Sequence, residues 1–452
     1  MSVAGALALV GLAVTLLLVL VLSARLHAFL ALLVTSLVVA VVGGVPPTEV
    51  AGEIQRAMGG TLGYISIVIG LGAMFGEILH RSGGAERIAD TLLGTFGERR
   101  APTAMGVTGI LVAIPVFFDV AFILLVPLLR SLHRRTGRPL LAFAIPLLAG
   151  LAVAHAFIPP TPGPVAVAGL LGADLGWVIL FGLASGIPAL VVGGLVFGRF
   201  VAPRITPAAE SEQPEGEEPG RGVGPSHAEP PGFPTVLTLI ALPLTLILLA
   251  TGSKVLLAEG HPWLGPLQLL GHPFSALLLT TLLASYVLGV RRGWSRSDLE
   301  ALATRSLEPV GLILLLTGAG GVLGKVLLAT GAGEVVARWL STSQLPLVLL
   351  AFGLALTVRV AQGSATVSMV TAAGLVAPVV EAAPLAAPQL AALTVAIAAG
   401  ATACSHVNDS GFWLVSRYLG LSERQTLQSW SAMTALVGLT GLVMSSILST
   451  LF

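Results

Sequence analysis

The stretch Ser405-His406-Val407-Asn408-Asp409-Ser410-Gly411 places six polar or helix-weakening residues around a single valine. The sequence on both sides of it is strongly apolar. An aspartate at membrane depth costs about 2.5–3.5 kcal/mol to insert, and such residues usually face a bundle interior or a water-filled cavity. We therefore expect this stretch to interrupt a membrane-spanning helix and to line a polar site.

The composition of the whole chain indicates a membrane protein. Of its 452 residues, 55% are hydrophobic and 10% are charged, and the mean hydropathy is +0.95. These values lie far outside the range of soluble domains. Apolar stretches of about 20 residues, the length that crosses a bilayer as a helix, recur along the chain. The sequence therefore predicts an all-α polytopic membrane protein.

Several other classes of protein are disfavoured by the sequence. The net charge of +1 says nothing about a nucleic-acid partner. No basic aromatic surface appears, so we expect no nucleic-acid partner. The single Cys404 excludes a disulfide framework and a cysteine-built zinc site. No phosphate-binding loop, His-Glu-x-x-His or Gly-x-Ser-x-Gly motif occurs. We expect neither an enzyme nor a cofactor or metal site.

The apolar regions fall into two groups. Eight are predicted to be ordinary spans, at 3–22, 26–45, 59–79, 176–198, 234–252, 272–290, 308–329 and 431–450. Four are interrupted near their centres by proline or polar residues, at 103–131, 139–172, 346–380 and 386–416. We expect the first and third of these four to be re-entrant hairpins and the other two to be broken transmembrane helices.

The positions of the basic residues favour this threading. Arg99 and Arg100 precede the region 103–131, and Arg134 and Arg135 follow it, so both of its ends are expected in the cytoplasm. A hairpin in each half gives five crossings per half, which inverts the second half relative to the first. Most of the 23 lysines and arginines are then cytoplasmic.

The two halves also share sequence. A shift of 248 residues matches four glycines and a glutamate with a second such set: Gly70, Gly72, Gly76, Gly83 and Glu86 with Gly318, Gly320, Gly324, Gly331 and Glu334. A shift of 251 matches Pro127 with Pro378 and His155 with His406. Inverted repeats are typical of secondary transporters. We predict membrane repeats at 1–202 and 233–452, joined by a flexible cytoplasmic linker at 203–232.

The four breaks are expected to meet at one cavity, because non-helical backbone at membrane depth must face protein or water. Helix N-termini there would direct N–H groups at a bound anion. A hydroxylated or carboxylated solute suits the polar groups of the breaks. The predicted substrate ligands are Asp119, Thr161, Gly163, Gly363, Ser364, Thr366, Ser405, Asn408, Ser410 and Gly411.

Four ionisable residues are candidates for proton coupling, because a desolvated group can exchange a proton near neutral pH. They are Asp119, His155, His406 and Asp409. Each also has a structural interpretation: the two acids would satisfy backbone at a break, and the two histidines would pack between helices. Arg359 either binds an anionic substrate or extends along its apolar stem to the outer surface.

Five motifs of this chain together resemble the gluconate permease family, which belongs to the ion transporter superfamily of secondary carriers. They are Gly59-Gly60-Thr61-Leu62-Gly63, Gly70-Leu71-Gly72-Ala73-Met74-Phe75-Gly76, Phe117-Phe118-Asp119-Val120, Pro159-Pro160-Thr161-Pro162-Gly163-Pro164 and Ser405-His406-Val407-Asn408-Asp409-Ser410-Gly411-Phe412-Trp413. The resemblance implies uptake of a sugar acid with protons across the bacterial inner membrane. It also implies a homodimer in which a transport part built from hairpins and broken helices moves like an elevator against a scaffold.

One position departs from the family pattern. Members of the family often carry histidine where this chain has Thr161, and some relatives carry D-serine or other hydroxy acids. The sequence therefore predicts a proton-coupled symporter for gluconate or a related sugar acid. A D-serine or hydroxy-acid carrier and a sodium-coupled carboxylate symporter are the alternatives within transport. A membrane-embedded enzyme and a passive channel are the alternatives outside it.

Overall fold

The computed structural model describes residues 2–207, 230–343 and 345–452, and these ranges contain helices and no strand. Nine helices in the described ranges are long and apolar enough to cross a membrane. The predicted all-α polytopic class is confirmed. Of the predicted linker 203–232, residues 208–229 lie outside the described ranges.

The first half contains ten α-helices. They are α1 (Val3–Leu22), α2 (Ala28–Val42), α3 (Pro47–Arg81), α4 (Gly84–Phe96), α5 (Ala101–Ala113), α6 (Phe118–Thr136), α7 (Leu141–Phe157), α8 (Pro162–Leu171), α9 (Leu175–Ala189) and α10 (Phe197–Val201). The π-helical segment Leu190–Val196 joins α9 to α10. Most of these helices are runs of leucine, alanine and valine that bury one side and expose the other.

The second half contains twelve α-helices. They are α11 (Phe233–Leu256), α12 (Leu264–Leu270), α13 (Pro273–Ala284), α14 (Arg296–Ser306), α15 (Glu308–Ala329), α16 (Ala332–Ser343), α17 (Leu347–Gln362), α18 (Ala365–Ala382), α19 (Ala387–Thr402), α20 (Ser410–Leu419), α21 (Glu423–Thr426) and α22 (Ala432–Leu451). The ends of α1 and α15 coincide with the predicted spans 3–22 and 308–329. The helix α3 begins at Pro47, well before the predicted 59.

The order of helices in the second half repeats that of the first. Gly83 separates α3 from α4 at φ 77°, and Gly331 separates α15 from α16 at φ 74°. Glu86 and Glu334 are each the third residue of the short helix that follows. The helix bounds therefore support the shift of 248. The opposite membrane orientation of the halves remains a prediction.

The helix bounds do not support the shift of 251. Pro127 follows the start of α6 by nine residues, whereas Pro378 follows the start of α18 by thirteen. His155 lies inside α7, whereas His406 lies beyond the end of α19. The two halves differ because the break after α7 spans 158–161 and the break after α19 spans 403–409. The pairing of the two histidines by sequence was wrong.

All four irregular regions are helix pairs interrupted by a short break, as predicted. The breaks are 114–117 between α5 and α6, 158–161 between α7 and α8, 363–364 between α17 and α18, and 403–409 between α19 and α20. Their positions agree with the prolines and polar residues of the sequence. Proline at 159 and 160 supplies no backbone donor to continue α7.

Glycines bring the helices around these breaks close together. A Cβ atom on Gly109 of α5 would lie 2.9 Å from the backbone nitrogen of Leu151 in α7. A Cβ atom on Gly324 of α15 would lie 2.7 Å from the carbonyl oxygen of Gly374 in α18. Small residues allow this backbone approach between membrane helices. The broken pairs are thereby held against one another and against α15.

Candidate substrate cavity

Three half-helices begin at one cavity of about 570 Å³. Residues at or next to the first turns of α6, α18 and α20 line it, among them Asp119, Ser364 and Ser410. The first N–H groups of a helix have no partner within the helix and carry the positive end of its dipole. Their convergence makes the cavity favourable for a negatively charged group.

The caps of these three helices differ. The side-chain oxygen of Ser364 accepts from the N–H of Val367 at 3.4 Å, and Asp409 Oδ1 accepts from the N–H of Gly411 at 3.1 Å. The first residue before α6, Phe117, provides no side-chain cap. The start of α6 therefore offers uncapped backbone donors beside the cavity.

Arg359 and Asp409 form a buried ion pair on the cavity wall. Arg359 Nη2 lies 2.5 Å from Asp409 Oδ2, and the two side chains are 4% and 11% exposed. The Arg359 Nη1 group donates to the carbonyl oxygen of Gly363, and its Nε is buried without a partner. This burial rules out an Arg359 that extends to the outer surface, and it places a guanidinium in the cavity wall.

Asp409 is also held by a chain of hydrogen bonds that starts in the π-helical segment Leu427–Ser431, directly before α22. Trp430 Nε1 donates to Ser405 Oγ at 2.7 Å, and Ser405 Oγ donates to Asp409 Oδ2. The backbone N–H of Ser405 donates to Thr434 Oγ1 at 3.2 Å. Ser405 thus lies one layer behind the cavity and fixes the position of the acid.

Asp119 is the second acid in the wall. It is exposed to the cavity, and the described residues give its carboxylate no hydrogen bond. Asp119 and Asp409 line the same cavity, and two carboxylates in one cavity repel each other. An unbonded carboxylate at the start of α6 is free to accept from a substrate hydroxyl or to take up a proton.

The two histidines occupy different environments. His155 lines the cavity and also a smaller neighbouring cavity of about 20 Å³, which Thr161 lines as well, and its Nδ1 is buried without a partner. His406 Nε2 donates to the carbonyl oxygen of Val360 at 3.0 Å, and His406 does not line the cavity. Of the two, only His155 shares the cavity with the acids.

The remaining predicted ligands are divided in the same way. Six line the cavity: Gly363, Ser364, Thr366, Asn408, Ser410 and Gly411. Thr161 Oγ1 donates to the carbonyl oxygen of Ile158 at 2.7 Å instead. A Cβ atom on Gly163 would lie 2.6 Å from Met369 Sδ, so Gly163 faces another helix.

Sequence reasoning missed several residues of the wall. They are Phe117, Gln362, Trp430 and Thr434. Gln362 precedes the break at Gly363 directly, and its buried Oε1 has no partner in the described residues, so proximity to the break could have identified it. Thr434 belongs to the predicted ordinary span 431–450, and Trp430 directly precedes that span. No sequence signal pointed to either residue.

A second cavity, of about 640 Å³, lies further along α15 and α18. Its wall contains the ion pair between Lys325 Nζ and Glu381 Oε1, at 2.6 Å, and the pair between Arg56 and Glu53, also at 2.6 Å. Thr366 of the first cavity and Ala377 of the second are eleven residues apart on α18. At 1.5 Å per residue this separation is about 16 Å.

A family model described as GntP family permease matches residues 6–451. The chain belongs to the GntP permease family. It is therefore a multi-pass permease of the bacterial inner membrane and not an enzyme. The resemblance to gluconate permeases found in its motifs is confirmed.

Curated relatives match almost the whole chain. It is 41% identical over 435 residues to the low-affinity gluconate transporter of Escherichia coli K12, with 96% of each chain covered. It is 38% identical over 435 residues to the gluconate permease of Pseudomonas aeruginosa, with 96% of this chain and 95% of the relative covered. It is 33% identical over 437 residues to the high-affinity gluconate transporter of Escherichia coli K12, covering 97% and 98%.

A solved structure has a similar fold. The YdaH transporter of Alcanivorax borkumensis, whose crystal structure is described as having an unusual topology, superposes with a TM-score of 0.57 at 16% identity. The alignment covers 89% of this chain and 87% of the other. This likeness shows that the two proteins share a fold, and nothing more.

Proposed function

We propose that this permease takes up gluconate or a closely related sugar acid together with protons. Relatives named as gluconate transporters support the substrate. The observation that carries the proposal is the cavity itself, where three helix N-termini, a buried arginine and two carboxylic acids face one space. That set of groups suits a solute with one carboxylate and several hydroxyls.

The substrate carboxylate is assigned to the positive side of the cavity. The uncapped backbone N–H groups at the start of α6 are the available donors. The N–H groups of Gly363 and Gly411 already donate, to the carbonyl oxygen of Arg359 and to Asp409 Oδ1. The hydroxyls are assigned to Asp119, Ser364, Thr366, Asn408 and Ser410. Asn408 uses its Nδ2 group on the carbonyl of Val360, at 2.8 Å, which leaves its Oδ1 to accept. We place Thr161, Gly163 and Ser405 behind this first layer.

Proton coupling is assigned to the ionisable groups of the cavity. Asp119, Asp409 and His155 line it together, and protonation of either acid would lower the negative charge that an entering sugar acid meets. His406, which lies outside the wall, is the weaker of the four predicted candidates. A carrier that binds the anion only with a proton would couple the two gradients.

The second cavity supports a transport cycle. It lies towards the opposite end of α18 from the first cavity, and the two cavities share no lining residue. We propose that movement of the broken pairs against the remaining helices opens the site alternately to the two sides. We also propose that the scaffold is homodimeric. The proposal includes an inverted repeat of residues 1–202 and 233–452, linked by 203–232.

The test is uptake of labelled gluconate by the purified protein in liposomes. An inward proton gradient should drive accumulation above the equilibrium level, and a protonophore should abolish it. Accumulation that survives the protonophore but requires sodium would replace proton by sodium coupling. Uptake of labelled D-serine, with no uptake of gluconate, would replace gluconate as the substrate. Saturation and counterflow would separate a carrier from a channel.

A further inference from the structure

The hydrogen bonds around Arg359 and Asp409 show which groups donate and which accept. An indole N–H can only donate, so Trp430 occupies a lone pair of Ser405 Oγ. The described residues offer the Ser405 hydrogen one acceptor, Asp409 Oδ2. A guanidinium also only donates, and Arg359 Nη2 donates to the same oxygen. Oδ2 therefore accepts two hydrogen bonds, and one of them comes from a cation.

The same oxygen cannot take up a proton without losing one of these two donors. A proton on Oδ2 would occupy a lone pair that Arg359 or Ser405 now uses. The other oxygen, Oδ1, accepts from the N–H of Gly411. A neutral Asp409 would hold Arg359 less strongly than a carboxylate does, because the attraction between opposite charges is lost. Arg359 lines the cavity, and its buried Nε has no hydrogen-bond partner among the described residues.

We propose that Arg359 binds the substrate carboxylate, and that Asp409 is the ion-pair partner of Arg359 until a proton neutralises Asp409. This inference rests on the proposed uptake of a sugar acid. In the empty state the pair carries one positive and one negative charge. In the loaded state the substrate carboxylate supplies the negative charge and Asp409 is neutral. The net charge of the pair is the same in both states, so neither state buries an unpaired charge.

The other charged groups of the cavity agree with this exchange. Among the described residues, the titratable groups that line it with Asp409 are Asp119 from α6, His155 from α7 and Arg359 from α17. His406, in the same break, is bonded to the carbonyl of Val360. Asp119 repels an entering carboxylate. A neutral Asp409 lowers the total negative charge in the cavity, so the carboxylate then enters more easily.

The experiment measures equilibrium binding of gluconate to the full-length protein from pH 5.5 to pH 8.5. In the unmodified protein the Kd should rise with pH, approaching tenfold per pH unit where one proton is taken up. Asp409→Asn should bind with a Kd that does not change with pH. Arg359→Gln should weaken binding at least 100-fold at every pH. Sorbitol, which has hydroxyls but no carboxylate, should not compete.

A milder variant keeps the inference testable if Asp409→Asn or Arg359→Gln does not fold. Ser405→Ala removes one donor to the carboxylate, so the pH at which binding weakens should move up by about one unit. Ser445→Ala is the control, because this buried serine donates to the carbonyl of Leu442, away from the cavity. It should leave the pH profile unchanged.

The outcomes separate this inference from the proposed function. Asp409→Asn with the original pH dependence, Ser405→Ala with the original midpoint, or Arg359→Gln with normal affinity would each overturn the exchange. If the unmodified protein binds no gluconate at any pH, the proposed substrate fails. In that case monocarboxylates are screened for one that raises the unfolding temperature of the protein. The same variants, tested with that monocarboxylate, then decide whether the exchange occurs.

Discussion

Gly363 lies directly against the backbone carbonyl of Asn408, so the break in the α17–α18 pair touches the break in the α19–α20 pair. Gly363 has φ 89°, a conformation that glycine adopts readily and other residues adopt at a cost. A methyl group at this position would overlap the Asn408 carbonyl. The contact holds Arg359, which donates to Gly363, beside Asp409.

Gly363→Ala is expected to reduce gluconate uptake at least tenfold. The left-handed backbone alone costs about 1–2 kcal/mol for alanine, and the overlap with Asn408 separates the two breaks. Initial uptake rates in liposomes and the unfolding temperature in detergent measure the effect. Gly353→Ala is the control, since nothing lies near its Cβ in the same helix. Normal uptake by Gly363→Ala would show that the contact does not position the site.

Asp119→Asn should reduce uptake at least tenfold without lowering the unfolding temperature. The Asp119 carboxylate has no hydrogen bond in the described structure, so its loss removes function and not a structural contact. Asp90→Asn, at an exposed acid of α4 outside the cavity, should retain full uptake. Full uptake by Asp119→Asn would remove this residue from both substrate binding and proton coupling.

Thr161→Val is expected to change stability rather than substrate affinity. Its hydroxyl is engaged by the carbonyl of Ile158, and losing that bond costs about 1 kcal/mol. The KM for gluconate should change less than threefold, and Thr161→Ser should behave as the unmodified protein does. A tenfold rise in KM at unchanged stability would instead make Thr161 a substrate ligand, as the sequence alone predicted.

Asp174, between α8 and α9, should make the stability depend on pH. Burial raises the pKa of this carboxyl, but hydrogen bonds from Lys254 Nζ at 2.8 Å, Thr251 Oγ1 at 2.6 Å and the Gly176 N–H at 2.9 Å outweigh it and lower the pKa. A lowered pKa in the folded state gives stability above the unfolded pKa of about 3.9, and that stability is lost as the pH falls.

Asp174→Asn should therefore lower the unfolding temperature at pH 7, by an amount equivalent to about 1 kcal/mol, and the gap should close towards pH 3. Unfolding curves of both proteins at pH 3, 5 and 7 measure it. Glu259→Gln, at an exposed acid in the loop after α11, is the control and should shift the curve little at any pH. A gap of equal size at pH 3 and pH 7 would contradict the role of the Asp174 charge.

The broken helices were predictable because their causes are local. Pro159, Pro160 and the polar residues around Asp409 interrupt apolar runs that otherwise continue for the width of a membrane. The basic residues around 103–131 indicated that this region differs from an ordinary span. The structure places a break in each of the four regions, with the predicted polar residues at or next to the start of the second helix.

The composition of the cavity wall was less predictable because it depends on contacts distant in the sequence. Trp430 reaches Ser405 across 25 residues, and Arg359 reaches Asp409 across 50. An arginine near the end of an apolar segment fits both a buried partner and the membrane surface, and only the packing of α17 against the other break decides between them. The histidine pairing failed because the two breaks differ in length.

Coupled transport moves a proton with each gluconate, so proton movement and substrate movement can be measured together. Liposomes that contain the protein and a pH-sensitive dye, with equal pH on both sides, would receive a gluconate gradient. Our account predicts that gluconate entering the liposomes acidifies the lumen, and that Asp409→Asn abolishes this acidification. Saturable gluconate entry without any acidification of the lumen would contradict proton-coupled transport.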